Sequence, residues 1–168
     1  ITMDGINKKY LPDHSVEGLE ATMRIDEALD GVEIVVLAIP SSVILDVVDD
    51  IIPHLRPGHV LIDLAKGLAP GKRLISEAIN EKLVAAEKHN TLAVVTGPTI
   101  APEAAGGVIT TALVASEDES VAKRLAETLT TQTFILHSAS DPVGAELWGA
   151  FKNVIALTCG LVDGLKKI

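Results

Sequence analysis

The first clear indication of the fold is a short apolar run after Glu33, which reads Ile34-Val35-Val36-Leu37-Ala38-Ile39. It is rich in β-branched residues and is not interrupted by polar ones, which is the pattern of a strand buried on both faces. Apolar residues then recur at helical spacing between Ile44 and Ile51, and Ser41 or Ser42 could cap this helix. A buried strand followed directly by an amphipathic helix indicates an α/β protein.

The same alternation continues along the chain. It predicts further strands at His59–Ala65, Leu92–Thr96, Ile109–Ala115 and Thr133–Leu136, and helices at 74–83, 101–105 and 116–129. Ser116 with Glu119 three residues later is a capping-box pattern. A long helix is predicted to begin at Asp141-Pro142 and to run towards Gly164. These elements predict an α/β fold with a mostly parallel sheet flanked by helices.

The first thirty residues lack this regularity. We expect 7–12 to be a loop or the end of a short helix, because a proline disfavours helix in the residue before it. Leu19–Met23 is predicted to be a short edge strand, and Ile25–Leu29 a helical turn or two.

The composition excludes several classes of protein. The 168 residues are 48% hydrophobic and 22% charged, which is typical of one globular domain and excludes a disordered tail. A net charge of −9 argues against nucleic acid as the main partner. The apolar stretch from Ile34 to Val48 is interrupted by a proline and polar residues and falls short of the roughly 20 apolar residues of a membrane span, so we expect no membrane insertion. The single cysteine, Cys159, excludes an intrachain disulfide and favours a cytoplasmic location. The scattered histidines do not suggest a metal site.

Polar residues and glycines follow several of the predicted strands. In an open α/β sheet, ligands bind outside the carboxyl ends of the strands. Those ends read Pro40-Ser41-Ser42, Lys66-Gly67, Gly97-Pro98-Thr99 and 137–141. Gly97 would permit close approach of a ligand to the backbone, and Lys66 could contact a phosphate, a carbonyl or a cofactor amide. The alternatives are that Gly97-Pro98 only ends a strand and that Lys66 is a solvated lysine at its rim.

Lys152 lies on an unusual face of the long helix. Its neighbours at helical spacing are mostly small, and none is acidic: Ala145, Trp148, Gly149, Ala156 and Cys159. Burial without a salt bridge lowers the pKa of a lysine, which suits a general base. Alternatively, the small residues form a helix-packing face and Lys152 extends to its edge. Asn153 could fix a substrate hydroxyl or the lysine, or could be a polar surface residue.

Several blocks of sequence together resemble a known family. They are Asn7 with Tyr10-Leu11-Pro12, Ala21-Thr22, Ala38-Ile39-Pro40-Ser41, Leu64-Ala65-Lys66-Gly67-Leu68, Gly97-Pro98-Thr99-Ile100-Ala101 with Glu103, and 146–164 around Lys152-Asn153. In this order they resemble the NAD(P)-dependent glycerol-3-phosphate dehydrogenases, over essentially the whole chain. The resemblance implies a Rossmann-type fold that is incomplete at both ends. Residues 1–140 would be the carboxyl-side part of the dinucleotide-binding domain, and residues 141–168 a long helix leading into an absent helical substrate domain.

The resemblance also implies an oxidoreductase that interconverts sn-glycerol 3-phosphate and dihydroxyacetone phosphate by hydride transfer with NAD or NADP, and that serves glycerophospholipid synthesis. Lys152 would be the catalytic base. The substrate, a small phosphate, would contact Lys66, Gly97 and Thr99, and we add Asn153 as a candidate. The cofactor would contact Pro40, Ser41, Lys66 and Ala101.

Some features of the family are not found in this sequence. Its glycine-rich fingerprint would precede Ile1 and its helical domain would follow Ile168, so we expect the 168-residue chain alone to be inactive. Val16-Glu17-Gly18 replaces the usual Leu-Pro, and Pro102 stands where a charged residue is common. Two alternatives stay open: another lysine–asparagine hydroxyacid dehydrogenase, or a truncated, non-catalytic relic acting as a binding module. A homodimer is one assembly we consider.

Overall fold

The computed structural model describes residues 5–166. In chain order its strands and α-helices are β1 (Ile6–Asn7), β2 (Leu11–Ser15), α1 (Ile25–Ala28), β3 (Ile34–Leu37), α2 (Ile44–Ile51), β4 (Val60–Asp63), α3 (Ile75–Ala85), β5 (Leu92–Thr96), α4 (Ala101–Ala105), β6 (Thr110–Ser116), α5 (Glu119–Leu129), β7 (Phe134–Ala139) and α6 (Pro142–Leu165). Two short 3₁₀ helices, Ile52–His54 and Pro70–Lys72, complete the connections.

The five strands from β3 to β7 lie side by side in chain order in one sheet. The pairs β3–β4, β4–β5 and β6–β7 are parallel, whereas β5 and β6 are antiparallel, with Thr96 opposite Leu113. The sheet is therefore mostly parallel and is flanked by helices. The α/β fold class predicted from the alternating pattern is confirmed.

The antiparallel pair β5–β6 corrects one prediction about the ligand edge. Strands β6 and β7 run opposite to β3, β4 and β5, so residues 138–141 leave the sheet at the edge opposite to Gly97. Their assignment to the same edge was wrong because it assumed parallel strands throughout. His137 lies within β7, beside Leu113, which in turn pairs with Thr96. It is therefore level with the carboxyl end of β5.

The core lies on both faces of the sheet and is aliphatic. On one face, β3 and β4 pack against α2 and α3 through Leu37, Leu61, Ile44, Val48, Ile75 and Ile79. On the other face, α5 covers β4 to β7, mainly through Ile62, Val114, Leu125 and Leu136. These branched side chains fill both layers, in keeping with a sequence in which only 2% of the residues are aromatic.

The N-terminal part of the described chain differs from the prediction. Strands β1 and β2 form an antiparallel pair where a loop or helix end was expected, and Leu19–Met23 is irregular instead of a strand. Pro12 lies inside β2, which is compatible with a strand because this two-stranded sheet has only edges.

Two predicted helix caps were also wrong. Helix α2 begins after Val43 and has no side-chain cap, so neither Ser41 nor Ser42 serves it. Helix α5 is capped by Asp118, whose carboxylate accepts from the N–H groups of Ser120 at 2.9 Å and Val121 at 3.3 Å. The hydroxyl of Ser116 instead donates to the carbonyl of Leu92.

Helix α6 is the only helix in the described part of the chain that is long and apolar enough to cross a membrane by length and composition. Core helices of soluble proteins also meet this criterion. The first two turns of α6 bury Ala145, Glu146 and Gly149 and contact β5 and β6. The C-terminal half exposes large apolar side chains, including Leu157 and Leu161.

The α5 cap provides a test of the fold. Asp118→Ala removes the acceptor of two helix N–H groups, so the free energy of unfolding should fall by about 1 kcal/mol in urea denaturation. Glu117→Ala removes an exposed carboxylate one residue earlier and should change it much less. Equal losses in the two variants would contradict the cap.

Candidate active site

The turn after β5 fits tightly against β6. A Cβ atom on Gly97 would lie 2.8 Å from the Cβ and 2.9 Å from the Cα of Ala112, closer than such atoms approach in proteins. Only glycine therefore fits at this position. The missing side chain makes room for the neighbouring strand, and the carbonyl of Gly97 accepts a hydrogen bond from α6.

Helix α6 lies unusually close to the end of β5. A Cβ atom on Gly149 would overlap Oγ1 of Thr96 and lie 3.3 Å from its Cβ. The small residue at 149 thus lets the helix backbone rest directly on the strand. Lys152 follows almost one helical turn later and lies beside Gly97.

Lys152 connects α6 to the turn after β5. Its Nζ donates a hydrogen bond to the carbonyl oxygen of Gly97 at 2.8 Å. Burial lowers the pKa of the Lys152 ammonium, and the nearby charge of Lys66 and a hydrogen-bond interaction with Lys66 lower it further. The reasoning from the small, acid-free helix face anticipated this direction of the shift.

Lys66 reaches the same place from the end of β4. Its Nζ lies 3.5 Å from Oγ1 of Thr99, in the segment after β5. The next residue, Gly67, has a φ of +142°, which side chains rarely permit, and an added Cβ would lie 3.2 Å from Oγ of Ser41. The ends of β3, β4 and β5 therefore converge around the two lysines.

A cavity of about 380 Å³ opens beside Lys152, between α6 and the exposed face of β6 and β7. Its lining is mostly apolar and includes Gly97, Pro98, Leu113, His137, Trp148 and Lys152. A small apolar cavity with a few convergent polar groups is typical of a site for a small molecule.

Two buried carboxylates, Asp63 and Glu146, lie next to this region, and the sequence analysis identified neither of them. Asp63 is fully buried at the end of β4. Its Oδ1 accepts from the N–H of Ala65 at 2.7 Å, whereas its Oδ2 has no partner among the described residues. Burial raises the pKa of Asp63 to about 7, and the charge of Glu146 adds to this rise while the Ala65 N–H opposes it. An acidic residue inside an apolar strand was the signal that could have revealed Asp63.

The structure brings together Lys66, Gly97 and Thr99, as the strand ends predicted, and Lys152 joins them from α6. Ser41 lies beside Gly67, and Pro40 immediately precedes Ser41 in the chain. Ala101 is the first residue of α4, and its side chain is exposed. Asn153 is not in this group. It is exposed and lines a shallow groove on α6 with Ala156, Leu157, Gly160 and Leu161.

The fold and this convergence define a class of protein: a Rossmann-type α/β domain with a lysine-lined cleft at the carboxyl edge of its sheet. Residues 1–122 match the sequence family of the NAD-dependent glycerol-3-phosphate dehydrogenase N-terminus. Residues 141–167 match the family of the C-terminus of the same enzymes. The chain belongs to this family, which confirms the resemblance seen in the sequence.

Individual relatives agree with this assignment. The glycerol-3-phosphate dehydrogenase (NAD(P)+) of Anaeromyxobacter dehalogenans is 35% identical over 95% of this chain and 48% of its own length. The crystal structure of glycerol-3-phosphate dehydrogenase from Coxiella burnetii has a TM-score of 0.85 at 32% identity, over 98% of this chain and 50% of that one. The Saccharomyces cerevisiae enzyme has a TM-score of 0.79 at 28% identity, over 96% and 48% of the two chains. The chain thus spans about half the length of these relatives.

The raised pKa of Asp63 predicts a pH dependence of stability. The usual pKa of 3.8 rises to about 7 on folding, so the folded state holds an extra proton between these values. The free energy of unfolding should therefore fall by up to about 1.4 kcal/mol for each pH unit as the pH rises through this window. Asp63→Asn keeps an oxygen for the Ala65 N–H and is uncharged. It should be more stable than the wild type at pH 8, and this difference should shrink at pH 5.

Urea denaturation at the two pH values measures this difference. Asp50→Asn, at an exposed position on α2, is the matched control, and its difference from the wild type should not change with pH. A pH-independent effect of Asp63→Asn would show that the buried carboxyl does not titrate in this window.

Proposed function

We propose that this protein interconverts sn-glycerol 3-phosphate and dihydroxyacetone phosphate by reversible hydride transfer with NAD or NADP. The observation that carries the proposal is the convergence of two lysines at the carboxyl end of β5, with Lys152 on the Gly97 carbonyl and Lys66 beside Thr99. The chain belongs to a family whose relatives are named glycerol-3-phosphate dehydrogenases, which supports this substrate.

The residues around the strand ends fit a dinucleotide. Helix α2 has no side-chain cap at Val43, so its first N–H groups remain free for an anionic group. Pro40 and Ser41 precede this helix, and Gly67 brings the Lys66 turn against Ser41. We infer that Pro40, Ser41, Lys66 and Ala101 hold the cofactor. When bound, its nicotinamide supplies the hydride acceptor or donor.

Lys152 is proposed as the general base. Loss of hydride from C2 of the substrate requires that the hydroxyl on C2 lose its proton, so an acceptor must lie within hydrogen-bond reach of that oxygen. The lowered pKa of Lys152 increases the fraction of neutral amine. The Gly97 carbonyl accepts one N–H of this amine and so directs its lone pair away from the strand. In the reverse direction the ammonium returns the proton to the oxygen.

Lys66 is proposed to bind the substrate together with Gly97 and Thr99. Its charge helps to lower the pKa of Lys152 and gives the edge of the sheet a local positive field, although the whole chain carries a net charge of −9. A local field of this kind attracts an anion even to an acidic protein. The substrate role of Asn153 remains a prediction. Its side chain lines the shallow groove on α6 and not the cavity beside Lys152.

Of the alternatives, another hydroxyacid dehydrogenase would use the same two lysines, and a non-catalytic relic would not require the lowered pKa of Lys152. The family match favours glycerol phosphate over another hydroxy acid. A cytoplasmic location, a role in lipid synthesis and a homodimer remain predictions.

The base assignment predicts the effect of two substitutions in the full-length protein. Lys152→Met keeps the apolar stem but removes the amine, so kcat for glycerol 3-phosphate oxidation should fall by about 10²–10⁴-fold. Lys152→Arg should fail similarly, because a guanidinium does not release its proton in this pH range. Steady-state kinetics measure the loss, and NAD(P)H titration should show that the cofactor still binds.

Near-normal kcat in Lys152→Arg would contradict the base assignment and leave Lys152 as an electrostatic anchor. Lys123→Met is the matched control. This lysine lies exposed on α5, where it pairs with Glu119, and the substitution should leave kcat unchanged.

Substrate anchoring by Lys66 predicts a different result. Lys66→Ala in the full-length protein should lower kcat/KM for glycerol 3-phosphate and leave the circular dichroism spectrum unchanged, because the side chain contributes charge at the rim and no core packing. Lys123→Ala should change neither. Unaltered kinetics in Lys66→Ala would show that Lys66 does not bind the substrate and is a solvated lysine at the rim of the sheet.

A further inference from the structure

Glu146 is a buried carboxylate that the proposed chemistry does not use. It lies in the second turn of α6 and is 3% exposed. Its Oε1 accepts from the N–H of Ile75 at 2.6 Å and of Ser76 at 3.3 Å, and its Oε2 accepts from the hydroxyl of Ser76. A carboxylate on one helix therefore binds the first N–H groups of another.

The N-terminus of α3 depends on this contact. Its N-cap residue, Leu74, has no side-chain acceptor, so the free N–H groups at the start of α3 need a partner from elsewhere. Glu146 supplies it from 71 residues away, and its negative charge also suits the positive end of the helix dipole. The contact thus fixes α6 against α3 and not only against the sheet.

Lys152 follows Glu146 on the same rigid helix. At about 1.5 Å per residue, the two side chains leave the helix about 9 Å apart along its axis, with Gly149 midway between them. Gly149 rests on Thr96 and fixes the distance between helix and strand, but a smooth glycine contact allows sliding and rotation. The hydrogen bonds of Glu146 oppose both movements, because either one would leave a charged group buried without partners.

We propose that Glu146 is a positioning residue for Lys152: by binding the N-terminus of α3, it sets where the lysine amine stands beside the Gly97 carbonyl. The catalytic consequence rests on the proposed function, whereas the positioning itself does not. Release of α6 would withdraw Lys152 from its partly buried place and from Lys66, the two features that lower its pKa. His137 is the other titratable side chain that lines the cavity there.

The direction of the pKa change distinguishes positioning from simple electrostatics. Loss of a negative charge alone would lower the pKa of a nearby lysine further, whereas release of the helix raises it towards its ordinary value.

The test uses the full-length protein with its lysines reductively methylated with ¹³C-formaldehyde. The Lys152 signal is assigned by its loss in Lys152→Arg and titrated by NMR, a measurement that needs no enzymatic activity.

In Glu146→Ala the pKa of Lys152 should rise, the acid limb of the kcat profile should move to higher pH, and kcat should fall about tenfold or more. Glu146→Asp keeps a carboxylate but shortens its reach, so it should raise the pKa of Lys152 in the same direction. It also decides the question if Glu146→Ala does not fold. Asp118→Ala, which weakens a different helix terminus, should leave the Lys152 titration unchanged.

An unchanged or lowered pKa of Lys152 in the folded Glu146 variants would overturn the proposal. Raised pKa values in a protein that does not oxidise glycerol 3-phosphate would support positioning while rejecting the proposed function, so the two failures are distinguishable.

Discussion

The direct contact between α6 and β5 is the constraint on which the rest of the site depends. Gly149 leaves no side chain between the helix and Thr96, so the helix axis runs as near to the strand as its backbone allows. This nearness lets the Lys152 side chain reach the Gly97 carbonyl. A larger residue at either glycine would move the helix or the turn, and the lysine would move with it.

The reversal of strand direction between β5 and β6 shapes the space beside the lysines. Because the chain returns in the opposite direction, β5 and β6 are antiparallel, and the side chains of Thr111, Leu113 and His137 on β6 and β7 are exposed. The cavity next to Lys152 forms between this exposed face and α6. A fully parallel sheet would have placed the polar turn at 138–141 beside the lysines and a different set of groups around the ligand.

Much of the fold and part of the site could be read from the sequence. The strand Leu92–Thr96 and the helix Ala101–Ala105 have the predicted bounds, because local patterning and a proline or glycine delimit them. Topology also gathered Lys66, Gly97 and Thr99 correctly. The role of Glu146 could not be read, because its partners lie about seventy residues away and no local pattern marks them. The β1–β2 pair lies in a stretch without regular periodicity, and the direction of β6 is set by its pairing with β5 and not by its own pattern.

The exposed Cys159 has a practical consequence. It is the single cysteine in this sequence and lies two helical turns beyond Lys152 on the same helix. A thiol-reactive fluorophore therefore attaches at one defined point within this chain, without engineering. From there its emission would report the polarity around the C-terminal half of α6, separately from the candidate site at the N-terminal half.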